Sequence, residues 1–166
     1  MKLFIPDNYS HDIYSIPYKK LKENNIKCLL FDLDNTCVGY HEKNPNEKLK
    51  NLFIKLKNMG FKVIIFSNAT KKRLEPFQEL SVTCHPMSKK PLKLNFKKII
   101  KKYNYQKDEI YIIGDQLFTD ILGGNRVGIK TYLIDPLTNE DFIITKIFRQ
   151  LEKRIIKRMK NKGELQ

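Results

Sequence analysis

The residues Asp32-Leu33-Asp34-Asn35-Thr36 close an apolar run that begins at Cys28. Side chains of an extended chain repeat every second residue, so Asp32 and Asp34 project to one side. Two carboxylates held that close repel unless a cation sits between them or one keeps its proton. Such a pair suits a division in which one carboxylate binds metal and attacks while the other moves protons. The same residue types also serve as helix N-caps and in surface turns. A second apolar run, Phe61–Phe66, ends in Ser67-Asn68. A hydroxyl beside the amides of a helix N-terminus makes either a phosphate seat or an ordinary N-cap. Lys89-Lys90-Pro91 precedes another periodic segment. An ammonium is a compact charge suited to a phosphoryl group, although most lysines of so basic a chain are solvated surface charges. Gly114-Asp115, with Asp120 five residues on, closes the run Glu109–Ile113. These two further carboxylates suit an oxygen-ligated magnesium. No Gly-x-Gly-x-x-Gly follows the first run, which argues against a dinucleotide site.

Chemistry from these residues needs a scaffold that brings distant stretches together. The spacing predicts a short helix around Tyr9–Ser15 and another from Pro17 to about Asn24, then a buried strand over Lys27–Leu33. Pro45 is expected to open a helix with Leu49, Leu52, Phe53 and Leu56 on one face, closed by Gly60. Strand Phe61–Phe66, a helix over Lys71–Leu80 and a short strand Val82–His85 follow. Leu92–Tyr103 carries Leu92, Phe96, Ile99 and Ile100 at helical spacing. Strand Glu109–Ile113, helix Leu117–Asn125, strand Ile129–Ile134 and a long final helix Asn139–Lys160 complete the series. Continuous apolar strands interleaved with helices imply a parallel sheet covered on both faces. The expected fold class is therefore α/β, a three-layer, doubly wound parallel sheet over residues 1–166. Its flanks are a helical segment 1–26 and a basic helix 139–162. Ligands of such sheets bind past the carboxyl ends of the strands, where the polar residues above are found.

The order DxDxT, Ser, Lys and GDxxxxD, each just past an apolar strand, resembles the four motifs of haloacid dehalogenase (HAD) superfamily phosphatases. The segment Gly114–Arg126 (GDQLFTDILGGNR) is similar to the YqeG-type branch of subfamily IIIA. So are the N-terminal Phe4-Ile5-Pro6 and the C-terminal Phe142-Ile143-Ile144-Thr145 with Arg149-Gln150. Cys37 departs from the small aliphatic residue usual there, and altered packing is the expected consequence. The resemblance implies that Asp32 attacks phosphorus and becomes an aspartyl phosphate. It implies that Asp34 protonates the leaving oxygen and later activates water. Mg2+ would be held by Asp32, Asp115 and the backbone carbonyl of Asp34. Asp120 would act through water or by bonding to a ligand. Ser67 and Lys90 would neutralise the transferring oxygens, Thr36 would orient Asp34, and Asn68 and Asn125 would line the site. The same branch is similar to phosphatidylglycerophosphate phosphatases, which makes a phosphorylated lipid headgroup the expected substrate.

Neither Asn35–Asn58 nor Asn68–Lys89 has room for a cap domain, so the site should be open and covered either by a large substrate or by a partner. The formal charge of +14 makes anionic partners plausible without naming one. Lysine scattered over every segment fits codon bias as readily as selection. The final helix places Phe148, Leu151, Ile155 and Met159 on one face and Lys146, Arg149, Lys153, Lys157 and Lys160 on others. It should pack on the sheet, the sharper alternative being docking on an anionic membrane. No apolar run approaches the roughly 20 residues of a membrane span, and no signal-peptide pattern opens the chain. The expected location is cytoplasmic, with peripheral membrane contact possible. The three cysteines form no zinc pattern and fit a reducing compartment. Competing functions are a phosphatase for soluble metabolites or polynucleotide ends, a receiver-type signalling domain and a nucleic-acid-binding module. The order of motifs argues against the receiver, and no stacking platform or recognition motif supports specific nucleic-acid binding.

Overall fold

The computed structural model describes residues 2–138, 143–163 and 165. All six strands run parallel: β1 (Asn8–Ser10), β2 (Cys28–Phe31), β3 (Lys62–Phe66), β4 (Thr83–His85), β5 (Ile110–Gly114) and β6 (Lys130–Ile134), in the order β1-β6-β5-β2-β3-β4. From β2 the chain winds outward through β3 to β4, then crosses to β5 and on to β6. The order therefore reverses between β2 and β5, and a crevice opens there. Phe31 pairs with both Ile65 and Ile113, so the ends of β2, β3 and β5 come level.

Alternation along the strands divides the core. Leu29, Phe31, Val63, Ile65, Tyr111 and Ile113 face one layer, where Leu49, Phe53 and Leu56 of α2 (Glu47–Asn58) meet them. Leu30, Ile64, Phe66 and Ile112 face the other, against Phe96 and Ile99 of α4 (Lys93–Tyr103) and Val127 of α5 (Leu122–Val127). Each such side chain contributes about 1.5–3 kcal/mol by leaving water. α5 approaches the sheet closely because Gly124 has no side chain. A Cβ there would lie 2.6 Å from Ile112 and Thr131.

Several elements depart from expectation. Residues 9–15 form no helix: Asn8–Ser10 pair with β6, and Asp12 Oδ1 then accepts bonds from the amides of Tyr14 and Ser15. That local side-chain turn outcompetes a helix. The expected helix after it is α1 (Tyr18–Glu23). Asn46, not Pro45, caps α2, its side chain accepting from the Leu49 amide. α3 (Lys71–Leu74) gives way to a 3₁₀ stretch over Glu75–Leu80, because Pro76 lacks the amide an α-helix needs. Leu117–Ile121 winds as a wider π-type turn ahead of α5.

The last helix, α6 (Ile143–Asn161), packs on the body through Glu152, Ile155, Ile156 and Met159. Phe148 and Leu151, expected on that face, are exposed. The buried Glu152 replaces them by accepting a bond from the Phe118 amide. The start expected at Asn139 falls on residues 139–142, and the side chains of Lys146 and Arg149 likewise lie outside the described residues. No helix of the described residues is long and apolar enough to cross a membrane.

Candidate active site

β2 and β5 deliver their acidic residues to the mouth of the crevice. The Asp32 amide still bonds to the Ile113 carbonyl, at 2.9 Å, which extends the ladder one residue past β2. Asp115 follows β5 directly, and Asp120 returns to the same place because the π-type turn swings it back. One carboxylate oxygen from each of Asp32, Asp115 and Asp120 lies within 4.8 Å of the others, and all three residues are buried. Lys90 Nζ reaches into this cluster, 2.6 Å from Asp32 Oδ1 and 2.6 Å from Asp120 Oδ1.

Such crowding is costly without compensation. Burial pushes the Asp120 carboxyl up to about 7, a rise that Lys90 opposes and that Asp32 and Asp115 reinforce. Burial acts to lower the Lys90 ammonium, but Asp120 and Asp32 outweigh it and hold the group above the ordinary lysine range. Three carboxylates face one ammonium in a buried space, so acidic groups outnumber the cation that compensates them. Clustered hard oxygen donors with surplus negative charge fit a divalent cation of the magnesium class. Gly114 makes the arrangement possible: a Cβ there would sit 2.3 Å from both Cγ and Oδ2 of Asp120.

Asp34 stands apart from the cluster. Its Oδ1 accepts bonds from Arg73 Nε (3.1 Å) and Nη2 (2.8 Å). Burial raises its pKa, and Arg73 works against the rise. Thr36 does not orient Asp34; its hydroxyl donates to Asp115 Oδ1 at 2.9 Å. The chain turns sharply after Asp34, with Asn35 in the left-handed region at φ 62°, and this carries Thr36 across toward β5.

Ser67 and Asn68 follow β3 into the same cleft. Ser67 Oγ accepts a bond from the Ala69 amide at 3.1 Å. Asn68 clamps the Lys90 backbone, its Oδ1 accepting from Lys90 N (2.7 Å) and its Nδ2 donating to Lys90 O (3.0 Å). Asn125 is not at the site. Its amide donates to the carbonyls of Leu3 and Ile5, both at 2.9 Å, and so fastens the N-terminal segment to α5.

The cleft above these groups measures about 650 Å³ and is lined by Asp32, Asp34, Ser67, Asn68, Arg73 and Lys90 among others. Tyr40, His41, Glu42 and Lys43 also line it, as do Gln116 and Thr119. Sequence reasoning missed Arg73 and residues 40–43. An arginine in the first turn after the serine motif, in a chain that otherwise uses mostly lysine, was the available signal. The 40–43 stretch carries no pattern that marks it. No folded insert covers the cleft among the described residues.

Comparison with known proteins points to one family. Residues 1–138 match the family model described as mitochondrial PGP phosphatase. Probable phosphatase YqeG of Bacillus subtilis is 39% identical over 166 residues, covering 99% of this chain and 96% of that protein. Phosphatidylglycerophosphate phosphatase 1, chloroplastic/mitochondrial, of Arabidopsis thaliana is 30% identical over 172 residues. That match takes in 92% of this chain but 47% of the plant protein, so the chain spans about half of that relative's length. Among solved structures, a protein assigned to HAD superfamily subfamily III A from Legionella pneumophila aligns with a TM-score of 0.56 at 19% identity. The alignment covers 73% of this chain and 72% of the other. With a family model over most of its length and a whole-length relative named as a probable phosphatase, the chain shares the fold of HAD hydrolases and belongs to the PGP phosphatase family.

Proposed function

We propose that the protein is a magnesium-dependent phosphomonoesterase that works through an aspartyl phosphate on Asp32, with a phosphorylated lipid headgroup such as phosphatidylglycerophosphate as substrate. The observation that carries the reading is the buried trio Asp32, Asp115 and Asp120 bridged by Lys90 Nζ on the floor of an open cleft. Asp32 and Asp115, with the Asp34 carbonyl, would hold Mg2+, and Asp120 would support them. When bound, the ion supplies positive charge to the phosphoryl oxygens.

Asp32 attacks phosphorus, and the bond from phosphorus to the ester oxygen breaks. Asp34 gives its proton to that leaving oxygen. Water then attacks the aspartyl phosphate and passes a proton to Asp34, the acyl–phosphate bond breaks, and inorganic phosphate leaves. Burial favours the protonated Asp34 that the first step needs, while the Arg73 fork favours the carboxylate that the second step needs. Lys90 and the Ser67 hydroxyl meet the charge on the transferring oxygens, and Asn68 fixes Lys90 through its backbone. What supports the lipid reading is the family, the name of the Arabidopsis relative and the open mouth, which leaves a bulky substituent outside the cleft.

The test is phosphate release from phosphatidylglycerophosphate, sugar phosphates and nucleotides, with and without Mg2+, beside Asp32→Asn. The lipid should be preferred, turnover should need the ion, and Asp32→Asn should lose about a thousandfold or more. Full turnover by Asp32→Asn would overturn the nucleophile assignment, and a strong preference for the small phosphates would overturn the substrate.

A further inference from the structure

An apolar ridge stands in water at the lip of the cleft. Met87, Leu92 and Leu94 are 57%, 55% and 63% exposed. All three belong to the loop and first helical turn that carry Lys90. Leu92, expected inside, occupies the N-cap of α4, ahead of the inward-facing Phe96 and Ile99, and is turned out.

The backbone beneath the ridge is fastened to the cleft floor. The amides of Met87 and Ser88 donate to the carbonyls of Ala69 and Ser67, both at 2.9 Å, and both of those residues line the cleft. Asn95 Nδ2 donates to the Ser88 carbonyl at 3.0 Å, which ties the loop to α4. The apolar tips are therefore held outward by a built loop. Exposed Lys89, Lys93 and Lys97 interleave with them, and from Ser81 to Lys107 the chain has eight lysines and no acidic residue.

Apolar tips set among lysines match the interface of an anionic bilayer, which takes tips below the headgroups and lysines at the phosphates. Three apolar side chains are too few for a stable protein interface, which engages about 20 residues a side. We propose that the Met87–Leu94 ridge is a wedge that seats in an anionic lipid surface and lays the cleft mouth against it. The purpose of the wedge rests on the lipid-headgroup reading, but its binding requires no turnover.

The experiment is sedimentation of the full chain with phosphatidylcholine vesicles, with and without phosphatidylglycerol, a lipid that carries no phosphomonoester. The wild type should partition to the anionic vesicles and be released by salt. The M87Q/L92Q/L94Q variant should bind about tenfold less or weaker still. Its turnover of p-nitrophenyl phosphate should stay unchanged, which also reports that it is folded. Lys89→Gln with Lys93→Gln and Lys97→Gln should weaken binding independently of the apolar tips. Wild type that ignores anionic vesicles, or a triple variant that binds as tightly as wild type, overturns the wedge. So does a wild-type dimer that the triple variant loses, if vesicles are not bound. Hydrolysis of detergent-dispersed phosphatidylglycerophosphate without vesicle binding removes the wedge and leaves the substrate standing. Vesicle binding without that hydrolysis removes the substrate and leaves the wedge.

Discussion

Gly114→Ala would test whether the acidic cluster depends on a missing methyl group. Gly114 lies outside the left-handed region, so alanine meets no backbone penalty and the whole effect comes from the new Cβ. That atom would sit 2.3 Å from Asp120 Cγ, where ordinary contact begins at 3.4 Å, so Asp120 must withdraw by more than an ångström. It has no free space to enter: it is fully buried, its Oδ1 accepts from Lys90 at 2.6 Å and its Oδ2 from the Gln116 amide at 3.2 Å. A shift of that size breaks the Lys90 bond. Overpacking costs about 1–3 kcal/mol, and stripping one partner from a buried ion pair costs about 3–5 kcal/mol. Lys90 keeps Asp32, so the second cost is only partly incurred. The expected loss is about 3 kcal/mol, a large fraction of the roughly 5–15 kcal/mol that holds a domain folded. Urea unfolding measures the stability, and calorimetric titration with Mg2+ measures the site. Magnesium affinity should fall together with stability. A variant within about 1 kcal/mol of wild type that binds Mg2+ normally would refute the packing argument.

Arg73→Ala should lower kcat about tenfold to a hundredfold with little change in KM, because Asp34 loses both bonds that aim it. Steady-state kinetics with a soluble phosphomonoester reads this, and partial recovery in Arg73→Lys is expected. Asn125→Ala should cost about 1–2 kcal/mol in urea unfolding, since the Leu3 and Ile5 carbonyls lose their donor. Turnover should be unchanged; a loss with stability intact would return Asn125 to the site. Burial, aided by the Asp135 carboxylate that accepts its hydrogen, pushes the Tyr9 hydroxyl up to about 12. The folded state thus favours the neutral phenol, a contribution that is complete below pH 10 and is lost as pH rises toward 12. The urea midpoint should fall over that window, and less so in Tyr9→Phe.

Much of this was legible because two signals coincide in the chain. Runs such as Cys28–Phe31 and Val63–Phe66 are apolar at every position, as a strand covered on both faces must be. Each run ends in the polar residue that the crevice needs. What sequence could not supply was partnership. The resemblance gave Thr36 the task of orienting Asp34, yet the left-handed turn at Asn35 sends its hydroxyl to Asp115, which is 79 positions away. Asn125 lies within the segment that resembles the family, but its amide points to the N-terminal strand's approach. Residues 9–15 have turn-forming Asp12 beside strand-forming Tyr9, and only the exposed edge of β6 decides between them.

The carboxylates two residues apart illustrate the same limit at the centre of the site. Strand geometry alone would leave Asp32 and Asp34 as neighbours on one face, repelling each other. The regular strand ends at Phe31, and Asp34 forms an isolated bridge with Val38. Each acid is thereby assigned its own cation: Lys90 takes Asp32 from a loop 58 positions on, and Arg73 takes Asp34 from α3, 39 positions on. Separate cations allow separate protonation behaviour, which a nucleophile and a proton shuttle require of otherwise identical groups. Exchanging that arrangement for one shared cation should couple the two acids. In Arg73→Ala, Lys90 would be left as a cation that favours the Asp34 carboxylate, already committed to Asp32 and Asp120. In the proposed mechanism the pair of arginine and lysine, more than the spacing of the aspartates, is what divides the labour.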